Sequence, residues 1–260
     1  MNIHFFLAGL LFLQGCHGDA SIPKSNNQPR SQAIPTNERE VEKSYGDTLD
    51  ENHPMDQPIG DVPDRVLLDV PLIKQNPELK YGCEVTSLAM VLNYAGVTVD
   101  KMELYRAVKK EYDPLTRPGG DIKRWGDPAR GFVGDMTGKA PGYAVFDKPI
   151  VDLMDKYLPG RAVNLTDKEF NEVLRHIAAG YPAVIWTTGD FRLPDRWESW
   201  LHGKQTIRTP LDLHAVVLVG FDSDKVYVND PLSGKKQHGV DKEQFINSWK
   251  ALKKRAVSYN

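Results

Sequence analysis

The sequence predicts an α+β fold, because helical periodicity comes early in its globular part and strand-like runs come late. Residues Cys83–Tyr94 carry apolar side chains at helical spacing. After Gly180 the pattern changes to short β-branched runs bounded by Asp, Gly and Pro, which are typical of strands. Two of these runs, His214–Phe221 and Lys225–Asn229, are separated only by Asp222–Asp224, which predicts an antiparallel hairpin.

Other segments complete the predicted order of elements. Val66–Val70 is typical of a first strand, and Pro182–Thr187 is typical of a buried strand in the later sheet. Gly96 is placed to end the first helix as its C′ residue, and Lys101–Lys110 predicts a second helix. The predicted architecture is therefore a set of N-terminal helices packed on an antiparallel sheet.

The middle of the chain predicts one further helix and one long excursion. Thr166 is a candidate N-cap for a helix that runs to about Ala179, with Glu169 completing a capping box. Thr116–Tyr143 is rich in Gly, Pro and Arg and is too long to be a simple connection. It is either a wall or lid over a functional site or an ordered surface excursion.

Composition bounds the possible functions. The chain has 260 residues, of which 40% are hydrophobic and 26% charged, and its formal net charge is −2. These values suit one globular domain with additional sequence outside it. A nucleic-acid partner is not expected, because such proteins usually carry a basic stripe.

The N-terminus resembles that of a bacterial lipoprotein. Phe5–Leu13 is an apolar run too short to span a bilayer as a helix, which needs about 20 residues, and it is typical of a signal peptide. It ends in Leu13–Cys16 (LQGC), which resembles a lipobox. The resemblance implies that residues 1–15 are a signal peptide and that Cys16 carries lipid. The alternatives are a cleaved signal peptide with an incidental cysteine, or a plain apolar N-terminus.

Residues 16–64 form a polar segment with few aromatic residues and no helical or alternating period. Such a segment cannot bury enough apolar surface to offset the entropy of ordering it. We expect a disordered tether here and a globular domain over residues 65–260. With lipid on Cys16, this arrangement would hold the domain outside the cytoplasm, close to a membrane.

Cys83 is the only cysteine besides Cys16, and it opens the predicted helix directly after Gly82. The free amides and the macrodipole at a helix N-terminus stabilise an anion. A thiol in that position can have a lowered pKa, and the thiolate is the nucleophilic form. The sequence therefore predicts a reactive thiol with a lowered pKa. The alternative is a small buried cysteine at the start of a core helix.

His214 and Asp230 are expected to meet at the open end of the predicted hairpin. His214 opens one strand, and Asp230 follows 16 residues later at the end of the next strand. A carboxylate beside an imidazole fixes its tautomer and stabilises its charged form. Asn229 is the alternative partner, but strand alternation puts Asp230 on the same face as Val228. The pair could also serve only to hold the hairpin.

Two blocks of the sequence resemble cysteine-peptidase family thirty-nine. They are Asp69–Gly96 (DVPLIKQNPELKYGCEVTSLAMVLNYAG) and His214–Gly234 (HAVVLVGFDSDKVYVNDPLSG), and they are most similar to its stand-alone, bacteriocin-peptidase-like secreted members. The resemblance covers most of the chain from Arg65 onward. It implies a papain-like cysteine peptidase fold.

The same resemblance implies roles for four residues. The nucleophile of the family matches Cys83, its general base matches His214, and its orienting acid matches Asp230. A glutamine upstream of the cysteine donates to the oxyanion in that family. Gln75, eight residues before Cys83, is the matching residue here.

Metal and cofactor sites have no support in the sequence. The histidines are scattered, and neither a CxxC nor an HExxH motif is present. The tryptophans Trp186, Trp197, Trp200 and Trp249 are expected to pack in the core or in a cleft rather than to form a ligand cage.

Together these features favour an extracytoplasmic cysteine peptidase that hydrolyses peptide bonds through a Cys–His–Asp triad. Its partners would be a peptide or protein substrate and, through the lipid, a membrane. Three alternatives stay open at this point. They are an acyl transferase or cell-wall amidase with the same triad, a non-catalytic binding module on the same fold, and a structural envelope lipoprotein.

Overall fold

The structure is a computed structural model that describes residues 62–260. The predicted signal peptide (1–15), the lipidation site Cys16, and the tether (16–64) up to residue 61 lie outside the described residues and remain predictions. No helix in the described part is both long enough and apolar enough to cross a membrane.

The described part contains eleven strands and five α-helices. In chain order they are β1 (Val66–Leu67), α1 (Cys83–Tyr94), α2 (Lys101–Ala107), β2 (Lys110–Glu111), β3 (Phe132–Val133), α3 (Asp147–Tyr157), β4 (Ala162–Asn164), α4 (Phe170–Ala178), β5 (Ala183–Thr188), β6 (Trp197–His202), β7 (Gln205–Pro210), β8 (Leu213–Phe221), β9 (Lys225–Asp230), β10 (Lys235–Asp241), α5 (Lys242–Ala251) and β11 (Ala256–Tyr259).

A seven-stranded antiparallel sheet organises the domain. Its strand order is β10-β9-β8-β5-β11-β4, and β1 pairs with β8 outside this path. The predicted hairpin is present as β8 and β9, with Leu218 opposite Val228 and an irregularity in register before Gly220. The later strands of the sequence therefore build the sheet, as predicted.

Helices cover both faces of the sheet. On one face, α1, α2 and α3 pack against the odd-numbered residues of β8, such as Val217 and Val219. On the other face, α4 and α5 pack against the even-numbered residues, such as Val216 and Leu218. Because both faces are covered, β8 is an almost continuous apolar run. The predicted α+β class is confirmed, with the addition that α4 and α5 form a second helical layer.

Helix α1 has the predicted boundaries and lies at the centre of the domain. All residues from Cys83 to Leu92 are buried, as expected for a helix with neighbours on every side. Gly96 has a φ of 88° directly after the C-cap residue Ala95, which is the left-handed conformation that favours glycine at C′.

Two predicted helix boundaries are wrong. Helix α2 ends at Ala107 because Val108 is extended, and Lys110 then pairs with Phe132 in a short parallel bridge. Helix α4 is capped by Glu169 rather than by Thr166, and its capping box joins Glu169 to Glu172. The hydroxyl of Thr166 instead faces the backbone of Ala256 on the neighbouring strand β11.

The excursion Thr116–Tyr143 is ordered and has a partner that the sequence did not reveal. It packs against the β6–β7 hairpin around a third small core formed by Ile122, Trp125, Val133, Tyr143, Ala144, Trp200 and Ile207. Backbone hydrogen bonds join the two segments, including Leu201 N to the Lys123 carbonyl at 3.0 Å. The excursion also contacts the loop before Cys83, since the amide of Tyr81 donates to the carbonyl of Met136 at 2.9 Å. It therefore forms a wall beside the start of α1.

Candidate active site

Cys83 is the first residue of α1, and the loop before it supplies no side-chain cap to the start of the helix. Gly82 is the N-cap and offers no side chain to the first amides. A Cβ atom at Gly82 would lie 2.5 Å from Cβ of Leu79, so only glycine fits this close approach. One turn later, Ser87 Oγ donates to the carbonyl of Ala215 at 3.2 Å and attaches α1 to β8 beside His214.

His214 and Asp230 form a direct hydrogen bond at the open end of the β8–β9 hairpin. Nε2 of His214 lies 2.7 Å from Oδ1 of Asp230, and both side chains are buried. An ionised carboxylate only accepts hydrogen bonds, so Nε2 carries a proton. In the neutral ring, Nδ1 then holds the lone pair and is the nitrogen that can accept a proton.

Asp230 is held as an anion by a set of donors around it. Burial by itself raises the pKa of a carboxyl group, but the hydrogen bond and charge of His214, the hydroxyl of Ser233 and the amide of Leu232 together hold the pKa of Asp230 well below its usual range. The Leu232 amide donates to Oδ1 at 2.8 Å and the Ser233 hydroxyl to Oδ2 at 2.5 Å. The turn after β9 therefore fixes the carboxylate in the position from which it orients His214.

Asn229, the alternative partner of His214, has a different position. Its Nδ2 donates to the carbonyl of Val70 at 2.9 Å, and its Oδ1 accepts from the amide of Gln237 at 2.8 Å. These two hydrogen bonds attach the backbone at Val70 and at Gln237 to β9. Asn229 thus supports the strand, while Asp230 contacts the imidazole.

Gln75 lies between the two halves of the site. Its backbone amide donates to the carbonyl of Pro231, directly after Asp230, at 2.9 Å. Its side-chain Nε2 donates to the carbonyl of Lys80, in the loop that leads to Cys83, at 2.8 Å. The side chain is buried, and within residues 62–260 its Oε1 has no hydrogen-bond partner. Nε2 keeps a second hydrogen for another acceptor.

The thiol of Cys83 points toward Glu84 in this structure. Sγ donates to Oε2 of Glu84 at 3.3 Å, and among the described residues no hydrogen bond joins Sγ to His214. Burial raises the pKa of Cys83 well above its ordinary value, and the neighbouring Glu84 carboxylate raises it further. The amide of Ala215 faces the sulfur and offsets only part of this effect. The sequence-based prediction of a lowered pKa is therefore wrong for this arrangement, because the start of α1 is buried beside an acid.

Glu84 is the residue near the site that the sequence reasoning missed. It is 0% exposed, and burial raises its pKa to about 7. Its second oxygen, Oε1, accepts from the amide of Val145 at 2.9 Å. A glutamate in the first turn of a helix usually faces solvent and favours the macrodipole, so its position alone gave no signal of burial.

One cluster of side chains has the composition of a metal site. Ligand atoms of Glu111, Asp113 and His202 lie within 4.8 Å of one another. Arg130 lies 3.0 Å from Nε2 of His202 and 3.5 Å from Glu111, and Nδ1 of His202 lies 2.9 Å from Asp113 as an ion-pair contact. Because arginine can only donate, Nε2 is the acceptor and the ring proton is on Nδ1. Nε2 is engaged by Arg130, a cation inside the cluster, while Nδ1 has no hydrogen-bond partner among the described residues, and we assign no metal to this cluster.

A cysteine at the start of a central helix, with a histidine–aspartate pair on the adjacent strands of an antiparallel sheet, defines a papain-like cysteine peptidase fold. Residues 67–257 match the Peptidase_C39 like family, and the chain belongs to this family. The family resemblance drawn from the two sequence blocks is confirmed.

Two known proteins illustrate the similarity. The uncharacterized protein YvpB of Bacillus subtilis (strain 168) is 40% identical over 192 residues, which cover 73% of this chain and 74% of YvpB. The crystal structure of a presumed C39-like peptidase from Bacillus anthracis superimposes with a TM-score of 0.70 at 40% identity, covering 76% of this chain and 98% of that chain. The family match and the Bacillus anthracis structure support a cysteine peptidase-like domain.

Proposed function

We propose that this protein is an extracytoplasmic cysteine peptidase that hydrolyses peptide bonds through Cys83, His214 and Asp230. The observation that carries the proposal is the 2.7 Å bond from His214 to Asp230, since it leaves Nδ1 of His214 as the free proton acceptor. The sulfur of Cys83 lies against the amide of Ala215, the residue next to His214. A nucleophile, a base and an orienting acid are the parts that acyl transfer requires.

Catalysis would begin with rotation of the thiol from Glu84 toward His214. Nδ1 of His214 accepts the thiol proton, and the thiolate attacks the carbonyl carbon of the scissile peptide bond. The tetrahedral intermediate collapses as the imidazolium returns its proton to the leaving amine, which forms a thioester on Cys83. Water then attacks the thioester carbonyl while His214 accepts a proton from it. The C–S bond breaks to release the carboxylic product, and the imidazolium returns its proton to the sulfur.

The oxyanion would be held at the start of α1. The backbone amide of Cys83 is free of a side-chain cap, and Gln75 Nε2 has a hydrogen that is not used by Lys80. Donors that are fixed before the reaction stabilise the charge that develops in the transition state. The bonds from Gln75 to Lys80 and to Pro231 would keep the side chain in place for this task.

The cellular position is part of the proposal. Lipid on Cys16 and a polar tether over residues 16–64 would keep the peptidase domain outside the cytoplasm and near the membrane. The sequence Leu13–Cys16 after an apolar run supports this arrangement. The substrate would then be a peptide or protein that reaches the membrane surface.

One observation favours a second candidate, a non-catalytic binding module. The buried Cys83 thiol has a raised pKa and bonds to Glu84 rather than to His214. A module that had lost catalysis would keep such a thiol protonated and unreactive. An acyl transferase with the same three residues differs from a peptidase in the acceptor of the acyl group, and a cell-wall amidase differs in the amide bond that it cleaves.

A covalent label separates the peptidase from the binding module. The full chain carrying Cys16→Ser has Cys83 as its only thiol, so intact mass reports modification at that residue. We expect a peptidyl chloromethyl ketone to add one label at a rate that falls at least tenfold in His214→Ala and to nothing in Cys83→Ala. Equal rates with and without His214 would contradict the triad and favour the binding module. Product analysis with an added amine then distinguishes hydrolysis from transfer.

A further inference from the structure

Glu84 is a fully buried acid that the proposed mechanism does not use. Its Oε1 accepts from the Val145 amide at 2.9 Å, and its Oε2 accepts from the Cys83 thiol at 3.3 Å. No ion pair involves Glu84 among the described residues. Glutamate is almost never fully buried unless it is paired, so this position is costly and calls for a specific reason.

Among residues 62–260, no cation forms an ion pair with Glu84 that would hold it ionised. From the excursion it faces Tyr143, whose pKa is raised by burial and by the Glu84 charge among other causes. Beyond Tyr143 lie Asp212 and Arg255, and the guanidinium of Arg255 is already engaged by Asp147 at 3.2 Å. The ionised form of Glu84 therefore rests on the backbone amides of Val145 and of Glu84 itself, and on the Cys83 thiol.

Two titratable groups of the sheet, His214 and Asp230, belong to the proposed site around Cys83. Of the two, Asp230 is an anion bound to His214, and His214 is the proton acceptor for the thiol in the proposed mechanism. The sulfur of Cys83 thus lies between a base on β8 and an acid on its own helix. Protonation of Glu84 would then change the hydrogen bond that the Cys83 sulfur makes with it.

We propose that Glu84 is a positioning residue that controls when Cys83 forms a thiolate. Ionised Glu84 accepts the thiol hydrogen, holds Sγ away from His214 and opposes a second negative charge beside it. Protonated Glu84 donates its own hydrogen to the sulfur and stabilises the thiolate that forms when His214 takes the thiol proton. The inference rests on the proposed role of Cys83 as nucleophile, and it deepens that role by adding its regulation by pH.

The consequence is a site that is more reactive in mildly acidic than in mildly alkaline medium. Burial raises the pKa of Glu84 to about 7, so its charge changes in the range in which the thiol would otherwise begin to ionise. Above this range, the carboxylate keeps Cys83 in its neutral form. An enzyme built in this way would respond to local acidification outside the cytoplasm.

The test is the rate of Cys83 alkylation by iodoacetamide from pH 5 to 10, in the full chain with Cys16→Ser. Glu84→Gln keeps the acceptor for Val145 and offers the sulfur a permanent amide donor. We expect its rate at pH 8 to be at least tenfold above that of the wild-type residue, with no step near pH 7. Glu243→Gln removes one negative charge from an exposed position on α5 and should leave the profile unchanged. Superimposable profiles for Glu84→Gln and the wild-type residue would overturn the proposal.

A second measurement needs no variant at Glu84 and guards against a folding defect. In the Cys16→Ser chain, the S–H stretching band in the Raman spectrum belongs to Cys83 alone. We expect it to shift to lower frequency as the pH rises through 7, because the thiol hydrogen of Cys83 then bonds to an ionised carboxylate, whereas at lower pH protonated Glu84 donates to the sulfur instead. A band that stays constant over this range contradicts the proposal. Failure of the peptidyl label with this shift intact would instead reject only the peptidase function.

Discussion

His214 and Asp230 lie 16 residues apart in the chain and 2.7 Å apart in the structure, where the open end of the β8–β9 hairpin brings them together. The contact joins a ring that can accept a proton at Nδ1 to an anion that two further donors hold in place. This relationship leads to the first prediction.

Asp230→Asn should reduce turnover while the protein remains folded. Loss of the acid that fixes the histidine tautomer in a related triad costs about four decades. A cysteine enzyme can depend less on this acid, so we expect the turnover of Asp230→Asn to fall by about two to four decades. Release of nitrophenolate from p-nitrophenyl acetate measures acylation of Cys83. Asn229→Ala is the matched control, since it should lower stability by about 1–3 kcal/mol through unpaired backbone groups and spare the chemistry. A larger loss of turnover in folded Asn229→Ala than in Asp230→Asn would mean that Asn229, and not Asp230, orients His214.

Gln75→Ala should slow acylation and leave alkylation unchanged. Removing one oxyanion donor typically costs about 10²–10³ in rate. Alkylation by iodoacetamide passes through no oxyanion, so its rate should not change. The experiment compares both rates in Gln75→Ala and in Gln244→Ala, whose side chain donates to the carbonyl of Asp190 away from the site. A parallel loss of both rates in Gln75→Ala would mean that Gln75 only shapes the loop before Cys83.

Tyr143→Phe should destabilise the small core shared by the excursion and the β6–β7 hairpin. The hydroxyl lies 2.5 Å from Thr209 Oγ1 and donates to the Pro210 carbonyl at 2.7 Å, and the side chain is buried. Its removal leaves a buried carbonyl without its donor, which costs about 1–3 kcal/mol. Urea unfolding should detect this change, while Tyr112→Phe at an 85% exposed position should change stability little. Equal stabilities for the two variants would contradict the importance of these bonds.

Glu84→Gln should also change how stability depends on pH. The folded pKa of Glu84 is raised from 4.5 to about 7, so the unfolded chain releases this proton first as the pH rises. The free energy of unfolding of the wild type, relative to Glu84→Gln, should therefore fall by roughly 3 kcal/mol from pH 4.5 to pH 7 and then level off. Urea titrations of both proteins at several pH values give this difference. A constant difference across the range would mean that Glu84 titrates as an ordinary carboxyl.

Cys16→Ser should release the protein from membranes. A single acyl chain gives marginal anchoring and two chains hold a protein stably, and the lipoprotein resemblance implies at least two. Fractionation of cells that express the full chain with and without Cys16 measures the effect. Equal distribution of the two proteins between membrane and soluble fractions would refute lipidation at this residue.

The local patterns of the sequence were sufficient for the elements that carry the site. Helix α1 has the predicted limits because its apolar periodicity and Gly96 are both unambiguous. The contact between His214 and Asp230 follows from hairpin geometry, since a short turn leaves few ways to pair β8 with β9. Asp230 was preferred over Asn229 from strand alternation, and the structure places Asp230 beside the imidazole.

The remaining features depend on contacts between distant segments. The excursion pairs with a hairpin more than 50 residues further along, whose strands β6 (WESWLH) and β7 (QTIRTP) lack a clear apolar alternation. The burial of Glu84 depends on Val145, which is 61 residues away in sequence. The pKa of Cys83 was predicted in the wrong direction for the same reason, since helix position indicates the dipole but not the neighbours.

The third small core has a consequence for how related chains can diverge. Its buried side chains come from the excursion, from Ala144 directly after it and from the β6–β7 hairpin, and Leu213 of β8 packs against them. The excursion also places Phe132 and Met136 in the main core, so the two segments can vary together only where these two side chains are kept. Replacing the excursion and the β6–β7 hairpin together with those of a relative would replace the wall beside Cys83. Replacing only one of them would leave the third small core without matching side chains. Changes in the wall beside Cys83 are thus coupled between two segments that are distant in the chain.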